Sequence, residues 1–250
     1  MNSFHHGGFD LSFLDEGDGA PVLLLHGFAS NKETNWVGPG WLKALTASGH
    51  RVIAIDHRGH GRSSSSHDSA LYSQALMAGD ALALMDHLSL ARADVIGYSM
   101  GSRLALTLAN LAPERVRSLV LGGVGLGLVQ GMEGVEAIVT ALEAPDVSQI
   151  TDPVGRAYRL FADQTKSDRM ALAACVRSMR VPIEEGLLRA IKAPTLIAVG
   201  TRDHNVGSPH ALAHLIAGSR VLAIQDRDHM SAVGDRGHKE GVLAFLDEQL

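Results

Sequence analysis

Ser99, Asp203 and His229 lie far apart in the chain, yet their side chains could together run acyl transfer. Ser99 sits in Gly97-Tyr98-Ser99-Met100-Gly101, between the run Asp94–Ile96 and a leucine- and alanine-rich stretch from Ser102 to Ala109. Glycine punctuates many strand-to-helix turns, and serine is a good helix N-cap. The five residues also fit G-x-S-x-G, a nucleophile elbow whose strained turn lifts the serine hydroxyl above a sheet. A serine hydroxyl is a poor nucleophile until a base takes its proton. An imidazole base in turn needs a third group to fix its tautomer and stabilise its cation. His229 and Asp203 offer those chemistries, in the chain order serine, aspartate, histidine. Two backbone N–H groups must then hold the oxyanion. They are expected from Met100, just after the serine, and from Phe28, in the loop His26-Gly27-Phe28.

These residues need a scaffold that gathers them. Phe9–Gly17 alternates apolar and polar residues, the pattern of a half-exposed strand. Continuous apolar runs at Pro21–Gly27, Arg51–Asp56, Ala93–Tyr98, Arg117–Gly123, Pro194–Gly200 and Arg220–Asp226 predict strands buried on both faces. Leu71–Leu88 and the C-terminal segment from Lys239 carry helical spacing. Alternating strands and helices predict an α/β fold, a mostly parallel doubly wound sheet. In such a sheet ligands bind beyond the C-terminal strand ends, where His26, Asp56, Ser99, Asp203 and His229 all fall. From Val124 to Lys192 only helix-like pieces occur. That stretch is too long for a simple connection and predicts a helical cap over the site. The expected division is a core of residues 1–123 and 193–250 with a cap of 124–192.

A length of 250 residues suits one domain with an insertion. With 46% hydrophobic and 20% charged residues, the composition is that of a globular protein. A net charge of −5 provides no basic footprint, so neither nucleic acid nor an anionic membrane is an expected partner. No apolar leader follows Met1, and no apolar run approaches the ~20 residues of a membrane span. A lone cysteine, Cys175, suits a reducing compartment, and a cytoplasmic location is expected. Thirteen histidines raise the question of a metal. Neither His57 with His60 nor Asp226, Asp228 and His229 has a zinc spacing, and His5-His6 reads as exposed polar sequence, so no metal or cofactor is expected.

The chain resembles the α/β-hydrolase fold superfamily nearly end to end. The motifs are His26-Gly27-Phe28, the loop from Asp56 to Ser63, Gly97-Tyr98-Ser99-Met100-Gly101, Gly200-Thr201-Arg202-Asp203, and the late His229. The resemblance implies the same serine, aspartate and histidine roles and a cap in the insertion. It makes the Asp56 loop structural; Arg58, His60 and Arg62 have the look of an active-site cluster, but are expected to brace that loop by hydrogen bonds and salt bridges. Ser102 stands where relatives often have glycine. A serine at position 99 sets the chain apart from relatives that use an aspartate nucleophile, such as dehalogenases and epoxide hydrolases.

Rivals to the triad are weaker. Asp226 and Asp228 share a loop with His229 and are poorly placed to face its ring. His204 adjoins the acid, and His238, opening the last helix, is expected in solvent. Cys175 reads as a small buried hydrophobe. The expected activity is hydrolysis of carboxylic esters with small to medium acyl groups, because the cap is aliphatic with only Tyr158 and Phe161 aromatic. The alternatives are a carbon–carbon bond hydrolase, an enol-lactonase, or a non-catalytic ligand-binding receptor on the same fold.

Overall fold

The computed structural model describes residues 2–131 and 134–249. Eight strands form one sheet: β1 (Asn2–His6), β2 (Phe9–Glu16), β3 (Ala20–Leu25), β4 (His50–Ile55), β5 (Ala93–Tyr98), β6 (Val116–Gly122), β7 (Thr195–Gly200) and β8 (Arg220–Ile224). Their order is β1-β2-β4-β3-β5-β6-β7-β8. β2 runs antiparallel to both β1 and β4, and every other pairing is parallel. Between β3 and β5 the winding reverses, so the loops leaving those strands diverge and open a crevice. Phe28 and Ser99 stand on those two loops.

Ten α-helices accompany the sheet among the described residues: α1 (Trp41–Ala47), α2 (Gln74–His87), α3 (Met100–Leu111), α4 (Gly127–Gln130), α5 (Val135–Glu143), α6 (Pro153–Gln164), α7 (Arg169–Met179), α8 (Glu185–Arg189), α9 (Pro209–Ala213) and α10 (Arg236–Asp247). Strand residues alternate between two apolar layers, as a period of two requires. Leu23, Leu25, Ile53, Ile55 and Val95 pack with α2 and α3 on one face. Val22, Leu24, Val52, Ala54 and Ile96 pack with α1 and α10 on the other.

Helices α4 to α8 all lie between β6 and β7, and no strand occurs there among the described residues. The cap expected at 124–192 includes residues 132 and 133, which lie outside the described residues. Hydrogen bonds tie this helical stretch to the sheet-bearing part of the chain. Gln74 Nε2 donates to the carbonyls of Met179 and Val181, and Thr165 Oγ1 donates to the Ala29 carbonyl at 2.9 Å. No helix among the described residues is long and apolar enough to cross a membrane.

One strand was not expected from the sequence, and one expectation changes. The His5-His6 segment belongs to edge strand β1, whose only buried residue is Phe4, packed edge-on to Phe13. His238 is buried, not solvated: its Nδ1 pairs with the Ala232 carbonyl at 2.9 Å, and its ring lies 4.9 Å from that of Trp41. The N-cap Asp235 starts α10 earlier than the apolar spacing suggests, turning His238 inward.

Candidate active site

The turn between β5 and α3 is as tight as its glycines imply. A Cβ on Gly97 would strike the Gly101 carbonyl and Ser102, and one on Gly101 would strike the carbonyls of Leu25 and His26. Helix α3 thus lies directly on the ends of β3 and β5. Ser99 takes φ +54°, ψ −111°, a conformation that non-glycine residues rarely adopt and that costs roughly 1–3 kcal/mol. Its N–H donates to the Gly122 carbonyl at 2.8 Å. Ser102 fills the place of the usual glycine without strain, donating its hydroxyl to the same carbonyl at 2.8 Å.

Asp203 leaves β7 and His229 leaves β8, and the parallel pairing of those strands brings the two loops together. His229 Nδ1 lies 2.7 Å from Asp203 Oδ2. The carboxylate is buried and the imidazole about one-third exposed. Tyr98, next to the serine, donates its hydroxyl to the His229 carbonyl at 2.6 Å, with the two rings 5.5 Å apart. Burial and the charges of Asp203 and Asp228 push the Tyr98 phenol upward, so it remains a donor. The His229 ring borders Gly123, whose added Cβ would come within 3.1 Å of Cε1, and Gly123 follows the carbonyl that anchors Ser99. The Ser99 hydroxyl makes no hydrogen bond to a described residue.

The rival residues have other partners. Asp226 pairs with Arg202, Asp228 accepts from Ser231, and His204 is exposed. Asp203 Oδ1 is buried without a hydrogen-bond partner, leaving Oδ2 as the atom committed to His229.

The loop after β3 is held from several sides. Gly27 N–H is taken by Asn35 Oδ1 at 3.0 Å. The N–H groups of Phe28 and Met100 donate to no described residue. His26 is buried, with Nδ1 at 2.8 Å from the Gly27 carbonyl and Nε2 accepting from His57 N–H at 3.1 Å. Those partners place its single proton on Nδ1, and burial pushes its pKa down, so the ring stays neutral. Beneath it, fully buried Lys32 donates both its backbone N–H and its ammonium to Asp56. Arg58 makes two 2.6 Å bonds to Asp80, and His60 Nδ1 pairs with the Arg58 carbonyl. Asp56 also accepts from Arg62 N–H.

Sequence reasoning missed Asn35, Tyr98, Lys32 and Thr165. Lys32, Tyr98 and Thr165 act through contacts with residues far away in the chain, and Asn35 through a loop bond to Gly27, none of which local pattern reveals. At Phe28 the structure places Tyr158, one of the two cap aromatics, ring to ring at 5.7 Å, and the Arg180 guanidinium, 5.7 Å from the Phe28 centroid. Cys175 is buried as expected. Among the described residues no group of three His, Cys, Asp or Glu side chains is placed to hold a metal ion.

Comparisons with known proteins agree with this fold. A family model for the alpha/beta hydrolase fold matches residues 20–135. The chain is 31% identical over 91% of its length to the dihydrolipoyllysine-residue acetyltransferase component of an acetoin cleaving system from Pseudomonas putida, spanning 64% of that protein. It is 38% identical over 50% of its length to a 2-hydroxymuconate semialdehyde hydrolase, also of Pseudomonas putida, covering 45% of it. The crystal structure of a hydrolase from Pseudomonas aeruginosa superposes with a TM-score of 0.80 at 27% identity, over 98% of this chain and 97% of the other. The chain belongs to the α/β-hydrolase fold family.

Proposed function

We propose that the protein is a serine hydrolase that cleaves small-molecule carboxylic esters of small to medium acyl groups through an acyl-enzyme. The observation that carries this reading is the 2.7 Å His229–Asp203 bond beside a serine held at positive φ. In this reading Ser99 Oγ attacks the ester carbonyl while His229 Nε2 takes its proton. Asp203 holds Nδ1–H and stabilises the imidazolium. The N–H groups of Phe28 and Met100 hold the oxyanion, which fits their lack of described partners. His229 then passes its proton to the leaving alcohol. Water, activated by the same imidazole, releases the acid and restores Ser99.

A second reading is hydrolysis of a carbon–carbon bond or an enol lactone with the same triad, favoured by the similarity to the semialdehyde hydrolase. A chain-length series of p-nitrophenyl esters separates the two. The ester reading expects turnover of the shorter esters and a loss of at least about a thousandfold in Ser99→Ala. Near-wild-type turnover by that variant would overturn the triad. Failure of every ester would favour the second reading, and stoichiometric retention of a ligand without turnover would indicate a receptor.

A further inference from the structure

Arg180 follows α7, and its guanidinium lies over two rings at once, 5.7 Å from the Phe28 centroid and 5.4 Å from that of Tyr158. Nη2 donates to the Tyr158 hydroxyl at 3.2 Å. Nη1 is shut away from solvent and has no acceptor. A buried guanidinium N–H without an acceptor is destabilising. Other buried or half-buried arginines here are neutralised: Arg58 by Asp80, Arg117 by Asp94 and Arg159 by Asp163.

Arg103 is the second exception. It stands one helical turn beyond Ser99, is 7% exposed, and donates Nη1 to the Val181 carbonyl at 3.1 Å. Burial and the neighbouring charge of Arg180 push it down to about 10, as two close cations without a counter-ion should behave. Among the described residues no carboxylate pairs with Arg103 or Arg180. In a chain of net charge −5, two adjacent unneutralised guanidiniums beside the loop of Phe28 are a local arrangement rather than a general excess of cations.

We propose that Arg180, backed by Arg103, receives a carboxylate carried by the substrate, so that the enzyme acts on acyl compounds bearing a second, anionic group. This rests on the serine-hydrolase reading above. A planar carboxylate matches the guanidinium fork, and the rings of Phe28 and Tyr158 beneath the guanidinium hold it in place. Because the Phe28 N–H serves the oxyanion in that reading, the carboxylate and the reacting carbonyl would be joined by a short spacer.

The test compares mono-p-nitrophenyl glutarate with the same ester carrying an isopropyl group in place of the carboxylate. The wild-type protein should favour the charged ester by at least about tenfold in kcat/KM. Arg180→Met should bring the ratio towards unity, and Arg180→Lys should keep part of it. Labelling rates of Ser99 by a carboxyalkyl and an alkyl phosphonate give the same ratio without requiring turnover. Equal handling of the two esters or the two phosphonates by the wild-type protein would overturn the carboxylate subsite alone. A preference undiminished in Arg180→Met would do the same. No turnover together with no label on Ser99 would overturn the hydrolase reading and the subsite with it.

Discussion

Ser99 is held in a backbone conformation that favours glycine, at φ +54°, ψ −111°. Such strain is costly for folding and is tolerated where a hydroxyl must project from a turn. Ser99→Gly should therefore raise stability by about 1 kcal/mol, read as a higher denaturation midpoint, while abolishing ester turnover. A destabilised Ser99→Gly would mean that the hydroxyl has a structural role and that the turn is not built to present a nucleophile. The strain itself was legible in the sequence, because Gly97 and Gly101 flank the serine. The Tyr98 bond to the His229 carbonyl was not, since it joins residues far apart in the chain.

At the scale of elements, the loop bearing Phe28 depends on a buried ion pair between it and the loop after β4. Lys32 and Asp56 are both fully buried, and Asp56 also accepts from Arg62 N–H. Removing one partner leaves a buried, unpaired charge. Lys32→Met should cost about 3–5 kcal/mol in chemical denaturation. A loss below about 1 kcal/mol would show that the two loops are held by other contacts. The strands from β3 to β7 were legible because buried parallel strands read as unbroken apolar runs, and β2 by its alternation; β8 was legible as a run, although at the sheet edge it is only partly buried and not covered on both faces. β1 was not, since one buried residue, Phe4, leaves no period to read. The inward turn of His238 was also hidden. The Asp235 cap sets it, whereas the apolar spacing of α10 becomes clear only after Lys239.

Over the whole molecule, several histidines are neutral because they are buried. Burial pushes His26 and His57 down, His60 down to about 3 and His238 to about 4. In the unfolded chain each binds a proton near pH 6.5. The unfolded state therefore gains protons first as pH falls, and stability drops from about pH 6.5 towards 3–4. His60 and His238 each contribute up to about 1.4 kcal/mol per pH unit within that window, and His26 and His57 act in the same direction. The denaturation midpoint should fall steeply between pH 7 and about 4.5, whereas a flat midpoint would mean that these rings take up protons in the fold as readily as in the unfolded chain. The doubly wound sheet and its helical stretch were legible from alternating patterns. How the helical stretch meets the loops was not, and Thr165 on Ala29 and Arg180 on Phe28 are contacts only the folded chain reveals.

The central claim is that Ser99 is a nucleophile activated by His229 and Asp203. Its most direct test is reaction of the purified protein with an uncharged aryl alkylphosphonate, with the adduct located by peptide mass spectrometry. The account predicts one phosphonyl group per chain on Ser99, and labelling lost in Ser99→Ala and greatly slowed in His229→Ala. A chain that stays unlabelled, or carries the adduct elsewhere, would contradict it.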